Sequence, residues 1–170
     1  MEKKINSNLR RMNVDDLELV LSWRNHPEVS RYMYTQHMIT MSEHERWFTS
    51  ASKQEGRNLL IFEINGHSQG FVNLNETTRN RIADWGFYMA PNSAKGTGIF
   101  MGESLLAFAF DELGLHKVCG QVISNNHRSI KFHERLGFKK EGQLREHFFD
   151  GNEYHDIINF GILSKEWKNF

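Results

Sequence analysis

The alternation of apolar and polar positions divides the chain into helical and extended stretches from its amino-terminal end onward. Residues 9–12 read as a short strand, and Asn13 then caps a helix whose Val14, Leu17, Val20 and Leu21 share one face. Asp15 and Asp16 occupy its first turn, where the helix dipole favours anions, and Pro27 ends it. A second helix starts at Thr40, because Thr40-Met41-Ser42-Glu43 fits a capping box. Three strands follow at 58–64, 69–75 and 81–89, the first two joined by the hairpin signal Asn65-Gly66 and the third stopped by Pro91. Residues 96–113 form a heavily apolar helix that closes on Gly114 as a left-handed cap. Residues 117–123 are a strand, 126–136 a helix closed by Gly137, and two last strands flank Asp150-Gly151. The predicted order, β-α-α-β-β-β-α-β-α-β-β, is an α/β layout with helices packed on a mostly antiparallel sheet.

Nothing in the remaining pattern divides this layout. No repeat or linker interrupts the 170 residues, so one domain over 1–170 is expected, with residues 1–8 outside its ordered part. Twenty-one basic side chains balance 21 acidic ones, which argues against nucleic acid as a partner. The amino terminus lacks the apolar stretch of a signal peptide, and the longest apolar region, 99–110, is too short and too interrupted to span a bilayer. No membrane partner is expected. The single cysteine, Cys119, cannot close an internal disulfide, and the cytoplasm is the expected location. The nine histidines show no zinc-site spacing, so no metal is expected. Oligomeric state is left open, with a homodimer among the assemblies open to it.

Two local patterns carry chemistry. Lys95-Gly96-Thr97-Gly98 lies between a strand and an apolar helix, where glycines let backbone N–H groups approach a pyrophosphate and the helix end adds partial positive charge. Asn126, Ser129 and His133 are spaced three and four apart, so they share one face of the later helix and could line a cofactor channel. A tight turn and a solvated helix face are the plain alternatives. The third glycine and the ribose-binding acid of a dinucleotide fold are missing.

The segment from Trp85 to Phe138 resembles the acetyl-CoA site of the GNAT superfamily of N-acetyltransferases. Lys95-Gly96-Thr97-Gly98 matches its pyrophosphate turn, and Asn125 through Ile130, running on to Leu136-Gly137-Phe138, matches its next strand–helix motif. Glu141 to Arg145 and Gly151 to Asp156 are similar to the ribosomal-protein and polyamine branch. The resemblance implies a mixed sheet splayed at its middle and acetyl-CoA as co-substrate, held by Tyr88, Met89, Lys95, Gly96, Thr97, Gly98, Ile99, Asn126 and Ser129. It also implies a bulged strand end whose backbone N–H near Met89 polarises the thioester. The chain departs from the family pattern in three places. Ser93 stands at the first turn position, Gln121 where several relatives have a glutamate base, and His133 where many have a tyrosine acid. His133 is then the candidate acid, with packing as its alternative, and Asp84, His44 or a water chain are candidates for the base.

The amino-terminal third should choose the amine. Arg24 can fork onto phosphate oxygens, and Met33, Tyr34 and Trp47 could flank a nucleobase, although an aromatic cluster beside a sheet is usually core. Trp23 through Pro27, Met33-Tyr34, the His44–Trp47 spacing and Asp84 through Tyr88 resemble the N-acetyltransferases of pseudaminic acid biosynthesis. That resemblance implies a UDP-linked 4-amino-dideoxy sugar as acceptor, with Arg24, Met33, Tyr34, His44 and Trp47 forming its pocket. Polyamine or protein N-terminal acetylation, and a non-catalytic acetyl-CoA-binding module, are the competing readings.

Overall fold

The computed structural model describes residues 6–78 and 80–167. Strand β1 (Ser7–Arg11) is followed by a single 3-10 turn (Val14–Asp16) and helix α1 (Leu17–Asn25). Asn13 caps that turn as its spacing predicts, its side chain accepting from the Asp15 N–H. The strand begins at Ser7, so residues 7 and 8 belong to the sheet; residues 1–5 lie outside the described residues. Asp16 is buried because Arg10 reaches it with two hydrogen bonds, at 2.7 and 2.8 Å. Pro27 does more than end α1. It occupies the first turn of a short helix, α2 (Pro27–Ser30), where a residue without an N–H costs nothing.

Helix α3 (Met41–Ala51) carries the capping box at Thr40 and Glu43. Strands β2 (Arg57–Ile64) and β3 (His67–Thr78) meet at Asn65 and Gly66, whose φ values of 51° and 78° are those of a primed hairpin turn. Strand β4 (Ile82–Met89) leads to helix α4 (Thr97–Ala107). The apolar run continues past α4 as a π-helical turn (Phe108–Glu112), then closes on Gly114 at φ 61°. Strand β5 (Lys117–Ile123), helix α5 (His127–Arg135), and strands β6 (Lys139–Phe149) and β7 (Tyr154–Leu163) follow, with a last turn, α6 (Ser164–Trp167). Neither α6 nor the π turn has a signature in the apolar pattern.

All seven strands form one sheet in the order β1-β2-β3-β4-β5-β7-β6, antiparallel except where β4 meets β5. Its two faces bury separate cores. Leu105, Leu106, Phe110 and Met101 pack with Leu74, Ala83, Trp85 and Val118 on the α4–α5 face. Val20, Trp23 and Ala51 pack with Leu59, Ile61 and Phe71 on the α1–α3 face. Among the described residues no helix is long and apolar enough to cross a membrane.

Candidate active site

Strands β4 and β5 pair only from Ile82–Lys117 to Asp84–Cys119, and beyond that joint no rung joins them. The Ala90 N–H donates to the Gln69 carbonyl at 2.8 Å, so the alternation of an antiparallel ladder turns the neighbouring Met89 N–H away from β3. The Arg81 carbonyl, of the same parity, accepts from His116 on the β5 side. Met89 therefore offers its N–H to the opening between β4 and β5. No bulge does this: Met89 pairs with Gly70 in register, and the irregularity of this ladder lies between Glu76 and Thr78. The expected bulged strand end is corrected to a strand that simply loses its neighbour.

On the α4–α5 face the glycine turn leads into α4 as its sequence predicts, but two of its N–H groups are already engaged. Gly96 caps α4 at φ 90°, and a Cβ built on it meets nothing within 4 Å. The Thr97 and Ile99 N–H groups turn onto the Ala94 and Gly96 carbonyls, at 3.2 and 3.1 Å. Lys95 is exposed, Thr97 is buried, and Ile99 packs on the core. An open left-handed turn, a lysine and the positive end of an eleven-residue helix suit a pyrophosphate.

The stripe on α5 departs from expectation. The Asn126 side chain accepts from the Ser129 N–H at 3.1 Å, capping its own helix. His133 Nδ1 lies 2.8 Å from the Ser129 carbonyl, and its Nε2 lies 3.0 Å from Trp85 Nε1. A carbonyl only accepts and an indole only donates, so the imidazole carries its proton on Nδ1 and accepts at Nε2. It is 2% exposed and stacks on Phe160, and burial pushes its pKa down to about 4. His133 is a neutral core group with both nitrogens engaged, its single proton held by the Ser129 carbonyl and not available to a thiolate. Gly120 lies beneath it, because a Cβ there would sit 2.5 Å from Trp85 Nε1 and 2.7 Å from His133 Nε2.

The residues read as acceptor-binding gather with others distant in sequence. His44, on α3, stacks on Trp47 with ring centroids 5.1 Å apart; Trp47 meets Phe71 edge-on, and Phe71 meets Tyr88 at 5.2 Å. The Tyr88 ring thus lies with the amino-terminal helices rather than beside the glycine turn, where its cofactor assignment would put it. Arg24 Nη2 donates to the Thr35 carbonyl at 3.0 Å, whereas its buried Nη1 has no partner among the described residues. His44 Nε2 is likewise buried without one. Burial holds His44 below its ordinary pKa, and the charge of Arg24 lowers it further, so His44 is neutral. Burial also lowers Arg24 and raises the Tyr88 phenol.

Tyr34, in the loop after α2, donates to Gln121 Oε1 at 3.1 Å, and Gln121 Nε2 donates to Asn159 Oδ1 at 3.0 Å. Phe148 packs on Tyr34 with centroids 5.4 Å apart. The chain of bonds joins a residue read as acceptor-binding to one read as catalytic. Asn159 and Phe148 carry no local signal; only the Gln121–Asn159 register and the return of β6 bring them here. Met33 is half-buried beside this loop, its carbonyl accepting from Gln36. Asp84 marks the closed end of the opening on the same face, its carboxyl raised by desolvation. Spacing in the sequence offers no metal set, yet Asp150, Glu153 and His155 bring three ligand atoms within 4.8 Å in the β6–β7 turn. There Asp150 accepts from the N–H groups of Asn152 and Glu153 and pairs with His155 at 2.7 Å, which accounts for the cluster as a turn brace.

This fold is shared with known proteins. The family model of the GNAT acetyltransferase domain matches residues 7–139. The chain belongs to this GNAT family. It is an acyltransferase, an N-acetyltransferase with acetyl-CoA as co-substrate. An uncharacterized N-acetyltransferase of the SPbeta prophage of Bacillus subtilis, YokL, is 30% identical over 167 residues, 96% of this chain and 93% of that protein. The acetyltransferase PseH of Campylobacter jejuni is 26% identical over 132 residues, 77% of this chain and 82% of its own length. The crystal structure of Vibrio cholerae spermidine N-acetyltransferase with CoA and spermine superposes with a TM-score of 0.89 at 25% identity, covering 96% and 98% of the two chains. That superposition accords with the mixed seven-stranded sheet of the GNAT fold.

Proposed function

We propose that this GNAT enzyme acetylates the amino group of a nucleotide-linked amino sugar, of the UDP-4-amino-dideoxy class that the amino-terminal motifs resemble. The observation that carries this reading is Arg24 Nη1, buried without a partner among the described residues beside His44, which burial keeps below its ordinary pKa. A buried guanidinium N–H without an acceptor is costly, and a phosphate or a base carbonyl would satisfy it. The same cation repels a polyamine, which would need an acid in that place. The likeness to PseH supports the nucleotide-sugar reading, and the likeness to spermidine acetyltransferase supports the polyamine alternative.

Acetyl-CoA supplies an activated acetyl thioester. The Met89 N–H, pointing into the β4–β5 opening, donates to the thioester carbonyl and stabilises the oxyanion that forms there. Lys95, Gly96, Thr97 and Gly98 hold the pyrophosphate at the α4 end, with Ile99 packed behind them. Asn126, Ser129 and His133 act by fixing α5 against β4 through Trp85. Arg24, His44 and Trp47, with Met33 and Tyr34, take the nucleotide end of the acceptor. Tyr34 spends its proton on Gln121, so its oxygen is free to accept an N–H from the acceptor amine and orient the lone pair. Gln121 cannot take a proton; it anchors Tyr34, the amine loses its proton to water, and as the C–N bond forms the C–S bond breaks and CoA leaves as a thiolate that takes a proton from water.

The test is CoA release from acetyl-CoA with a UDP-4-amino-dideoxy sugar, spermidine and N-terminal peptides as acceptors. Selective turnover of the nucleotide sugar is expected. Arg24→Lys, which loses the forked donor, should raise the acceptor KM tenfold or more, for a loss of about 1.5–3 kcal/mol in a charged hydrogen bond. Turnover of spermidine alone, unaffected by Arg24→Lys, would overturn the acceptor assignment.

A further inference from the structure

Strand β6 does not run evenly along β7. Leu144 stands opposite Ile157 and Phe148 opposite His155, so Arg145, Glu146 and His147 together face the single residue Asp156. One carboxylate holds this bulge. The Glu146 N–H donates to Asp156 Oδ1 at 2.8 Å, and the Gln143 side-chain amide donates to Oδ2. These two bonds keep the Asp156 carboxyl below the ordinary carboxylate range. Glu146 sits at φ 48°, a left-handed conformation that a residue with a Cβ holds only where its surroundings impose it. Asp156 is itself tied down, because its carbonyl accepts from the Ser124 N–H just beyond β5, at 2.9 Å.

The bulge decides where Phe148 stands. Continued from Leu144 without the extra residues, the ladder would put Glu146 opposite His155 and Phe148 opposite Glu153. At about 3.4 Å per residue, Phe148 would then lie roughly 7 Å farther along β7. Its ring, now 5.4 Å from that of Tyr34, would leave the range of aromatic contact. Phe148 joins neither hydrophobic core, so packing of the sheet does not account for the strain at Glu146. The contact with Tyr34 does.

We propose that Asp156 is a positioning residue for acetyl transfer: it locks the β6 bulge that seats Phe148 against Tyr34, and so aligns the hydroxyl that orients the acceptor amine. The inference rests on the reading of Tyr34 as that orienting group. Asp156 acts through Phe148 and Tyr34, at one remove from the acceptor.

A double-mutant cycle in the full chain tests it, read by CoA release with the UDP-4-amino-dideoxy sugar, or with spermidine if that acceptor alone is turned over. Asp156→Ala should lower kcat about tenfold at an unchanged acetyl-CoA KM. Adding Glu146→Gly, which takes the left-handed turn without a clamp, should restore kcat to within about threefold of the wild type. Adding Asp156→Ala to Tyr34→Phe should cost nothing further, because the hydroxyl to be aligned is already gone. If Asp156→Ala does not fold, Phe148→Leu takes its place in the cycle, emptying the ring seat outside both cores. A wild-type kcat once the clamp or the seat is lost would overturn the proposal. So would full additivity with Tyr34→Phe, or no rescue by Glu146→Gly. A wild-type kcat in Tyr34→Phe itself would instead overturn the reading of Tyr34, and the proposal with it.

Discussion

At the scale of single residues, His133 shows how a side chain changes meaning once its partners are known. Its helical spacing with Asn126 and Ser129 identifies a face of α5 but not what stands opposite that face. What stands there is the Trp85 indole, a donor that only a neutral imidazole can accept. The consequence is a pH dependence of stability. The folded state holds His133 near pKa about 4, against 6.5 as the ordinary value, so between those values the unfolded chain binds the proton and the folded chain does not. Stability from this group is complete above pH 6.5 and is lost as pH falls toward 4, by ~3 kcal/mol at 1.36 kcal/mol per unit. Urea midpoints at pH 7 and pH 4.5 should reveal that loss. His133→Gln, which can accept from Trp85 but cannot be protonated, should show a smaller one; an equal loss would mean that other groups carry the acid sensitivity. Tyr34 gives the complementary case. Tyr34→Phe keeps the contact with Phe148 but removes the bond to Gln121, and should lower kcat about tenfold or more with the acetyl-CoA KM unchanged. A wild-type kcat in this variant would remove Tyr34 from acceptor positioning.

At the scale of elements, the features legible in the sequence are those set by a few neighbouring residues. The Thr40–Glu43 box, the Asn65-Gly66 turn and the left-handed Gly114 each satisfy local backbone demands, and each appears where its motif stands. The α4 turn at Gly96 is of the same kind. What was not legible depends on register across the sheet. Asn159 meets Gln121 because β7 lies beside β5, and Tyr34 reaches Gln121 from 87 residues earlier in the chain. The two glycines of the splayed strands make the difference measurable. A Cβ at Gly120 collides with Trp85 and His133, whereas one at Gly86 meets nothing within 4 Å. Gly120→Ala should therefore cost about 1–3 kcal/mol through overpacking and a displaced hydrogen bond, while Gly86→Ala should leave the denaturation midpoint near that of the wild type. Equal midpoints would show that the Trp85–His133 pair yields without cost.

At the scale of the whole molecule, the sheet, on the proposed reading, separates the two substrates. Helices α4 and α5 cover one face and bring the glycine turn to the mouth of the opening; α1 and α3 cover the other and bring Arg24, His44 and Trp47. Between β4 and β5 the sheet has no rungs beyond Asp84, so the two faces communicate there alone among its central strands. An acetyl group entering from the α4–α5 side can meet an amine entering from the α1–α3 side with no carrier between them. The chain has one cysteine, and Cys119 lies at the closed joint, its thiol raised by burial away from the thiolate that a carrier needs. Direct transfer in a ternary complex follows. Initial rates measured over a grid of acetyl-CoA and acceptor concentrations should give intersecting double-reciprocal lines, and Cys119→Ser should retain turnover. Parallel lines, or an acetyl group on Cys119 in the intact-mass spectrum after acetyl-CoA alone, would mean that the acyl group pauses on the protein. The opening would then serve as a relay between two half-reactions instead of a meeting point of two substrates.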